Sequence, residues 1–248
     1  MRIDVLFGPG NVVGAHVQGR VVAVIDVLRA STSIAAALAN GARTVIPFER
    51  IDDVIIRAKQ FERGEVRLAG ERKMQPIPGF DLGNSPGAFT EEAIRGKTVL
   101  MTTTNGTAAL HAVQGARDVV VAAYVNFSAV CALLRTAARG ETDVVLVCAG
   151  HEGQFALEDA SCAGRYASAV LDGLSCVELG DGAAACVVLD QQYGDHLDRL
   201  FADSEHGRAL QDAGFAADLE CCAAVDAYPV IPVYRDRQLT KLGPERER

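Results

Sequence analysis

Residues 97–110 read KTVLMTTTNGTAAL. Val99, Leu100 and Met101 form a short apolar run, which predicts a buried strand. Thr102, Thr103, Thr104, Asn105, Gly106 and Thr107 follow, and an Ala-rich helical pattern starts at Ala108. Strand, polar glycine turn, helix is an arrangement that aims free backbone N–H groups and the positive end of a helix at an anion. The hydroxyls add donors, and Gly106 lets a ligand come close to the backbone. The same residues also read as an ordinary capped helix with Asn105 or Thr104 as N-cap, so the surrounding chain has to decide.

The unit recurs upstream. Residues 24–45, VIDVLRASTSIAAALANGARTV, and 99–120, VLMTTTNGTAALHAVQGARDVV, share strand, hydroxyl-rich turn, helix, Gly-Ala-Arg and strand. Residues 21–27, VVAVIDV, are nearly continuous β-branched sequence, the mark of a strand buried on both faces, interrupted only by Asp26. Further strands are predicted at 2–7, 43–47, 66–69, 118–124 and 143–148. Helices are predicted at 34–40, 52–63, 126–139 and 154–171. Beyond Asp172 the pattern is mostly helical (183–192, 196–202, 205–213 and 217–225), and residues 230–234 and 238–240 close the chain as a small hairpin before a charged tail. This alternation predicts an α/β fold: a mainly parallel sheet with helices on both faces and a helix-rich C-terminal part. It reads as one domain over residues 1–248, with room for two sub-lobes. Residues 73–87, KMQPIPGFDLGNSPG, have no periodicity, and a loop of this length in a compact chain is usually functional.

Composition narrows the function. The net charge is −8, and no run of Lys and Arg interleaves with aromatics, so nucleic acid is excluded as a partner. No apolar run approaches the ~20 residues of a membrane span, and the N-terminus lacks a signal core, so a cytoplasmic, membrane-free protein is expected. The seven cysteines, Cys176 among them, read as reduced small hydrophobes. The five histidines lack HExxH or HxH spacing, which argues against zinc. A homo-oligomer is compatible with all of this.

In an α/β sheet, ligands bind outside the carboxyl ends of the strands. Sorted by that rule, the unusual polar residues converge. Asp26, Arg29, Ser31, Thr32 and Ser33 follow one strand, Glu71 and Arg72 another, residues 102–107 a third, Asn126 a fourth, and His151, Glu158 and Asp159 a fifth. Acids that hold Mg²⁺ through oxygen, with arginines and N–H groups for phosphoryl oxygens, suit phosphoryl transfer. Structural readings stand beside these. Asp26 also reads as an acid paired with Arg29, Glu71–Arg72 as a surface ion pair, and Glu158–Asp159 as acids at a positive helix end. His151 reads as a turn residue and His111 as packing or surface.

The motifs IDVLRASTSIAAALANGA, GER, GFDLGNSP, TTTNGT, Asn126, CAG and EDASCAG occur in this order. Together they resemble the ComB family of 2-phosphosulfolactate phosphatases from about residue 21 to 164, and again near 228–233. The resemblance implies a family-specific α/β fold and Mg²⁺-dependent hydrolysis of 2-phosphosulfolactate to 3-sulfolactate and phosphate, a step of coenzyme M synthesis. It marks Asp26, Arg29, Glu71, Arg72, Asp81, Asn84, Ser85, Thr104, Asn105, Asn126, Glu158 and Asp159 as motif positions. We expect Asp26, Arg29, Glu71, Arg72 and Asn126 to be catalytic. Ser31, Thr32, Asp81, Asn84, Ser85, Thr103, Thr104, Asn105, Gly106 and Thr107 are expected to bind a small anionic phosphoester, and Asp26, Glu158 and Asp159 to hold Mg²⁺. Whether Asp26 attacks phosphorus or positions metal and water stays open. The spacer KMQPIP and residues 171–227 depart from the family pattern. The alternatives are a phosphatase of the same mechanism on another phospho-hydroxy acid, or a non-catalytic binder of such a metabolite. A dinucleotide site is disfavoured because no GxGxxG follows any strand.

Overall fold

The computed structural model describes residues 1–174 and 177–243; Cys176 lies outside them. In chain order the elements are β1 (Arg2–Leu6), α1 (Gly14–Val17), β2 (Val21–Ile25), α2 (Ala30–Ala39), β3 (Thr44–Pro47), α3 (Ile51–Ala58), β4 (Val66–Arg72), β5 (Gln75–Pro76), α4 (Glu91–Ile94) and β6 (Thr98–Thr102). They continue as α5 (Gly106–Ala112), β7 (Asp118–Ala122), α6 (Phe127–Arg139), β8 (Val144–Cys148), α7 (Leu157–Leu171), β9 (Glu178–Leu179), α8 (Asp181–Tyr193), α9 (Leu197–Asp203), α10 (Glu205–Asp212), α11 (Ala216–Ala223), β10 (Pro232–Arg235) and β11 (Gln238–Lys241). Among the described residues the strands form one eleven-stranded sheet in the order β5-β4-β6-β3-β11-β10-β7-β2-β8-β1-β9.

The α/β architecture agrees with the alternation in the sequence. The valine-rich strands β2 and β8 are buried along their whole length, as strands covered on both faces must be. On one face, α2 and α5 pack Ile34, Leu38, Ala109 and Leu110 on Val22, Val24, Val99 and Val121. On the other face, α6 and α7 cover Ala23, Ile25, Val120 and Leu146, and α8 to α11 add a further layer. Helix α2 is buried almost all round, which explains why its sequence is Ala, Ser and Thr with two large aliphatics and not amphipathic.

The closing hairpin sits in an unexpected place. It is not an appendage at an edge but the middle of the sheet. β10 pairs with β7 and β11 pairs with β3, both antiparallel, so the hairpin joins a parallel block β4-β6-β3 to a parallel block β7-β2-β8-β1. Following the signs through it, the two blocks run opposite to one another. In a flat sheet the carboxyl ends of β2 and β6 would then lie at opposite ends of the molecule. They do not: a Cβ on Gly106, just past β6, would lie 2.6 Å from Asp26 Oδ2, just past β2. Twist of about 20–25° per step accumulates to roughly 100–125° over the five steps from β6 to β2. That twist is what turns both carboxyl ends toward one crevice.

The irregular stretch 73–87 is also ordered by tertiary contacts. A two-residue turn at Lys73 and Met74 folds β5 back on β4, with both residues at positive φ (50° and 67°), the signature of a type I′ turn. Further on, Gly70 donates its N–H to the carbonyls of Leu82 and Gly83. Helix α3 ends at Ala58, short of the predicted residue 63.

Candidate active site

A cleft of about 350 Å³ opens at this crevice, lined by Asp26, Leu28, Arg29, Glu71, Lys73, Met74, Asn84, Thr103, Thr104, Asn105, His151, Glu152 and His206. A wider groove of about 540 Å³ beside α3 and the tip of the closing hairpin holds none of the motif residues.

Asp26 is fixed by the first turn of α2. Its Oδ1 accepts the Ala30 N–H at 3.2 Å, its backbone N–H donates to Ser31 Oγ at 2.9 Å, and its carbonyl accepts the Ser31 N–H. Ser31 and Thr32 are buried, and the Thr32 hydroxyl donates to Val27 O, so both build the turn beneath the cleft. Asp26 is only 6% exposed. Burial pushes its carboxyl up to about 6. The field of His206 and the Ala30 N–H oppose that rise, and Glu71 and Glu158 add to it.

Across the cleft, Glu71 ties two loops together. Its Oε1 accepts the Thr104 N–H at 2.7 Å, and its Oε2 accepts the Met74 N–H at 2.9 Å and the Thr104 hydroxyl at 3.1 Å. One carboxylate thus holds the Lys73–Met74 turn and the 102–107 turn in register. Thr103 and Thr107 bond one another, which closes that turn from inside. Gly106 is required by close approach, since a side chain there would meet Asp26 Oδ2 at 2.6 Å and Ala30 Cβ at 2.7 Å. Among the described residues no protein acceptor meets the N–H of Asn105 or Gly106. The Asn105 carboxamide oxygen accepts the Glu152 N–H at 3.2 Å.

Arg29 is held from the C-terminal layer. Its Nη1 donates to Asp218 Oδ2 at 2.6 Å, its Nη2 donates to Met74 O at 2.9 Å, and the guanidinium lies 4.4 Å over the Phe215 ring. Ser85 donates to the same Asp218 oxygen at 2.8 Å. Helix α11 therefore positions both Arg29 and the GFDLGNSP loop. Asn84 reaches the cleft, and its buried Oδ1 has no partner among the described residues.

The carboxylates of Glu158 and Asp159 lie behind the cleft wall. Asp159 accepts the Val27 and Gly150 N–H groups at 2.9 and 3.0 Å, which clamps the ends of β2 and β8 together. Burial, then Glu158, then Asp26 hold it well above the usual carboxylate range. Glu158, 1% exposed, faces His206: its Oε1 lies 3.2 Å from Nδ1, and its Oε2 has no partner. Among the described residues, no three His, Cys, Asp or Glu side chains group closely enough to hold a metal ion by themselves.

Three other predicted positions lie outside the cleft lining. Arg72 turns away to bond Glu71 O, Glu49 O and the Thr102 hydroxyl, a brace between β4 and β6. Asp81 takes the Leu68 N–H and pairs with Arg63 at the surface, which lowers its pKa against the opposing effect of burial. Asn126, 0% exposed, accepts the Ala123 N–H and donates to Val121 O and Val230 O. That ties the end of β7 to the segment leading into the hairpin.

The cleft also holds residues that sequence reasoning left out: Lys73, His206 and, through Arg29, Asp218. The first belongs to a spacer without periodicity. The other two stand more than 170 residues after Arg29, in helices whose pattern gives no sign of facing a site. Pairing a basic and an acidic residue across such a gap has no local signal.

A family model described as 2-phosphosulpholactate phosphatase matches residues 8–237. A probable 2-phosphosulfolactate phosphatase of Symbiobacterium thermophilum is 40% identical over 227 residues, covering 92% of this chain and 96% of that protein. Its namesake in Caldanaerobacter subterraneus subsp. tengcongensis is 39% identical over 211 residues, 85% of this chain and 86% of that protein. One from Clostridium beijerinckii is 35% identical over 243 residues, 97% of this chain and 99% of that protein. With motifs, fold and near full-length similarity in agreement, this chain belongs to the 2-phosphosulfolactate phosphatase family.

Proposed function

We propose that this chain is a cytoplasmic, Mg²⁺-dependent phosphatase that hydrolyses 2-phosphosulfolactate to 3-sulfolactate and phosphate, the reaction type of coenzyme M biosynthesis. The observation that carries this is one cleft in which the buried Asp26 faces Arg29, Lys73 and the 103–105 turn, in a member of this family. A protein that only bound anions would gain nothing from Asp26 and Glu71 in the same cleft, where they repel the ligand.

Mg²⁺ takes oxygen ligands, keeps several waters and reaches substrate phosphate through one or two carboxylates. Asp26 and Glu71 are the acids that suit it: both line the cleft, and a cation there would relieve the burial that raises Asp26. Asp159, which does not line the cleft, suits it less. When bound, the ion would offset charge on the phosphoryl oxygens. Arg29 has five N–H donors, of which its two held nitrogens spend one each on Asp218 and Met74. The rest serve the phosphoryl oxygens, together with the Thr103 hydroxyl, whose proton is not spent on a protein acceptor among the described residues, and the N–H groups of Asn105 and Gly106. Lys73, exposed on its hairpin at the rim, suits the sulfonate or carboxylate at the substrate's far end. Free cysteines at all six described positions accord with a reducing compartment, and no helix among the described residues is long and apolar enough to cross a membrane.

Phosphate release from 2-phosphosulfolactate, with Mg²⁺ and with EDTA, tests the reading beside phospholactate and phosphoglycolate. Fast release that needs Mg²⁺ and favours the sulfonate is expected. Equal release from the carboxylates would keep the mechanism and remove the substrate. Binding without turnover would remove both.

A further inference from the structure

His206 lines the same cleft as Asp26, Glu71 and Arg29, and nothing in the family motifs points to it. It stands in the first turn of α10, which Ser204 caps by accepting the Gly207 N–H at 2.9 Å. A side chain at Gly207 would meet Phe201 O at 2.0 Å, so the α9–α10 corner is packed tightly where His206 leaves it. The residue is 8% exposed. A carboxylate only accepts hydrogen bonds, so the 3.2 Å contact with Glu158 Oε1 puts a proton on Nδ1. The ring's other nitrogen is left for the cleft. His151 stacks on the ring at 4.1 Å and fixes its plane.

This is a carboxylate–imidazole pair of the kind that holds a histidine in one orientation with its free nitrogen toward substrate. The charged groups facing His206 are Glu158 from α7, Asp26 at the end of β2, and His151 after β8, with Glu205 adjacent on its own helix. Burial and then the field of His206 push His151 below its usual value.

Resting on the phosphatase reading, we propose that His206 is the general acid of the hydrolysis, giving its Nε2 proton to the departing alkoxide, with Glu158 as the residue that positions it. The substrate is an alkyl phosphate, whose leaving group is a strongly basic alkoxide. As the bond from phosphorus to the alkyl oxygen breaks, that oxygen takes the proton from Nε2 and leaves as the hydroxy acid. Water adds to phosphorus and gives dihydrogen phosphate. That product returns one proton to Nε2 and departs as hydrogen phosphate, so atoms and charge balance over one turnover.

The test compares two leaving groups in the full-length protein: 2-phosphosulfolactate, with a basic alkoxide, and p-nitrophenyl phosphate, whose phenolate needs no proton. General acid catalysis is worth roughly 10²–10⁴-fold. His206→Gln should therefore lower kcat on the alkyl ester by about that factor while changing the aryl ester by less than about fivefold. Glu158→Gln should give the same selective loss in smaller measure, about 10-fold, which a purely structural role would not. Inorganic phosphate binding, measured by calorimetry, reports whether each variant is folded; if His206→Gln is not, Glu158→Gln decides. Equal losses on both esters in a variant that binds phosphate, or no loss on the alkyl ester, overturns the proposal. Wild-type protein inactive on both esters removes the phosphatase reading and this proposal with it.

Discussion

At Asp26 the requirements of chemistry and stability pull apart. Its pKa rises from 3.8 to about 6 on folding, first through burial, which is about 3 kcal/mol at 1.4 kcal/mol per unit. The folded chain therefore binds this proton more tightly than the unfolded one. The contribution is fully present below pH 3.8 and is lost as pH rises through about 6. Metal-free protein should lose stability as pH rises from 3.8 through about 6. Asp26→Asn should abolish turnover yet raise the unfolding free energy at pH 7.5 by about 1–3 kcal/mol, measured by urea titration in EDTA. A destabilised Asp26→Asn would show that the charge is already compensated inside the protein. Lys73 makes the complementary case. It is exposed and bonded to no motif residue, so Lys73→Gln should leave kcat within about twofold and raise KM for the sulfonated substrate about tenfold, the scale of one charge-assisted hydrogen bond. A kcat effect instead would move Lys73 from the rim to the reacting phosphate.

At the scale of elements, the cleft is made of turns held by each other rather than of preformed helices or strands. The β6–α5 turn is fixed by Glu71 from β4, by its own Thr103–Thr107 pair and by the contact of Gly106 with Asp26. Gly106→Ala has to displace Asp26 or Ala30. Overpacking of this kind costs about 1–3 kcal/mol, and turnover should fall at least a hundredfold with it, read by urea unfolding and phosphate release on the same sample. A variant as stable and active as wild type would mean the turn can swing away from β2. Much of this level was legible in the sequence. The hydroxyl-rich turns, the buried strands and the alternation with helices all follow from residue type at short range. The type I′ turn at Lys73 and Met74 was not, because neither residue favours positive φ and the turn is imposed by Glu71 and Arg29 from outside.

At the scale of the molecule, the hairpin β10–β11 couples two blocks of parallel strands, and its Leu239 is fully buried between the sheet and α2. Leu239→Ala should cost about 2–5 kcal/mol. Unfolding should remain one transition by fluorescence and circular dichroism, with activity lost along it, since the crevice depends on the twist between the blocks. Two separate transitions would show that the blocks fold apart.

The sequence by itself determined what is local: strands and helices, the acids and hydroxyls that follow the strands, an acidic net charge, and the motifs of a family. Periodicity and turn chemistry act over a few residues, so one sequence suffices to read them. Only the tertiary structure decided that the last two strands enter the middle of the sheet and that the crevice closes by twist. It also set which predicted polar residues face the cleft: Asp26, Arg29, Glu71, Asn84 and Thr103 to Asn105 line it, while Asn126, Arg72 and Asp81 support or lie outside it. His206 and Asp218 join the cleft from the far end of the chain. Long-range pairing is selected by burial and by the satisfaction of buried polar groups over the whole molecule, and no stretch of sequence carries that sum.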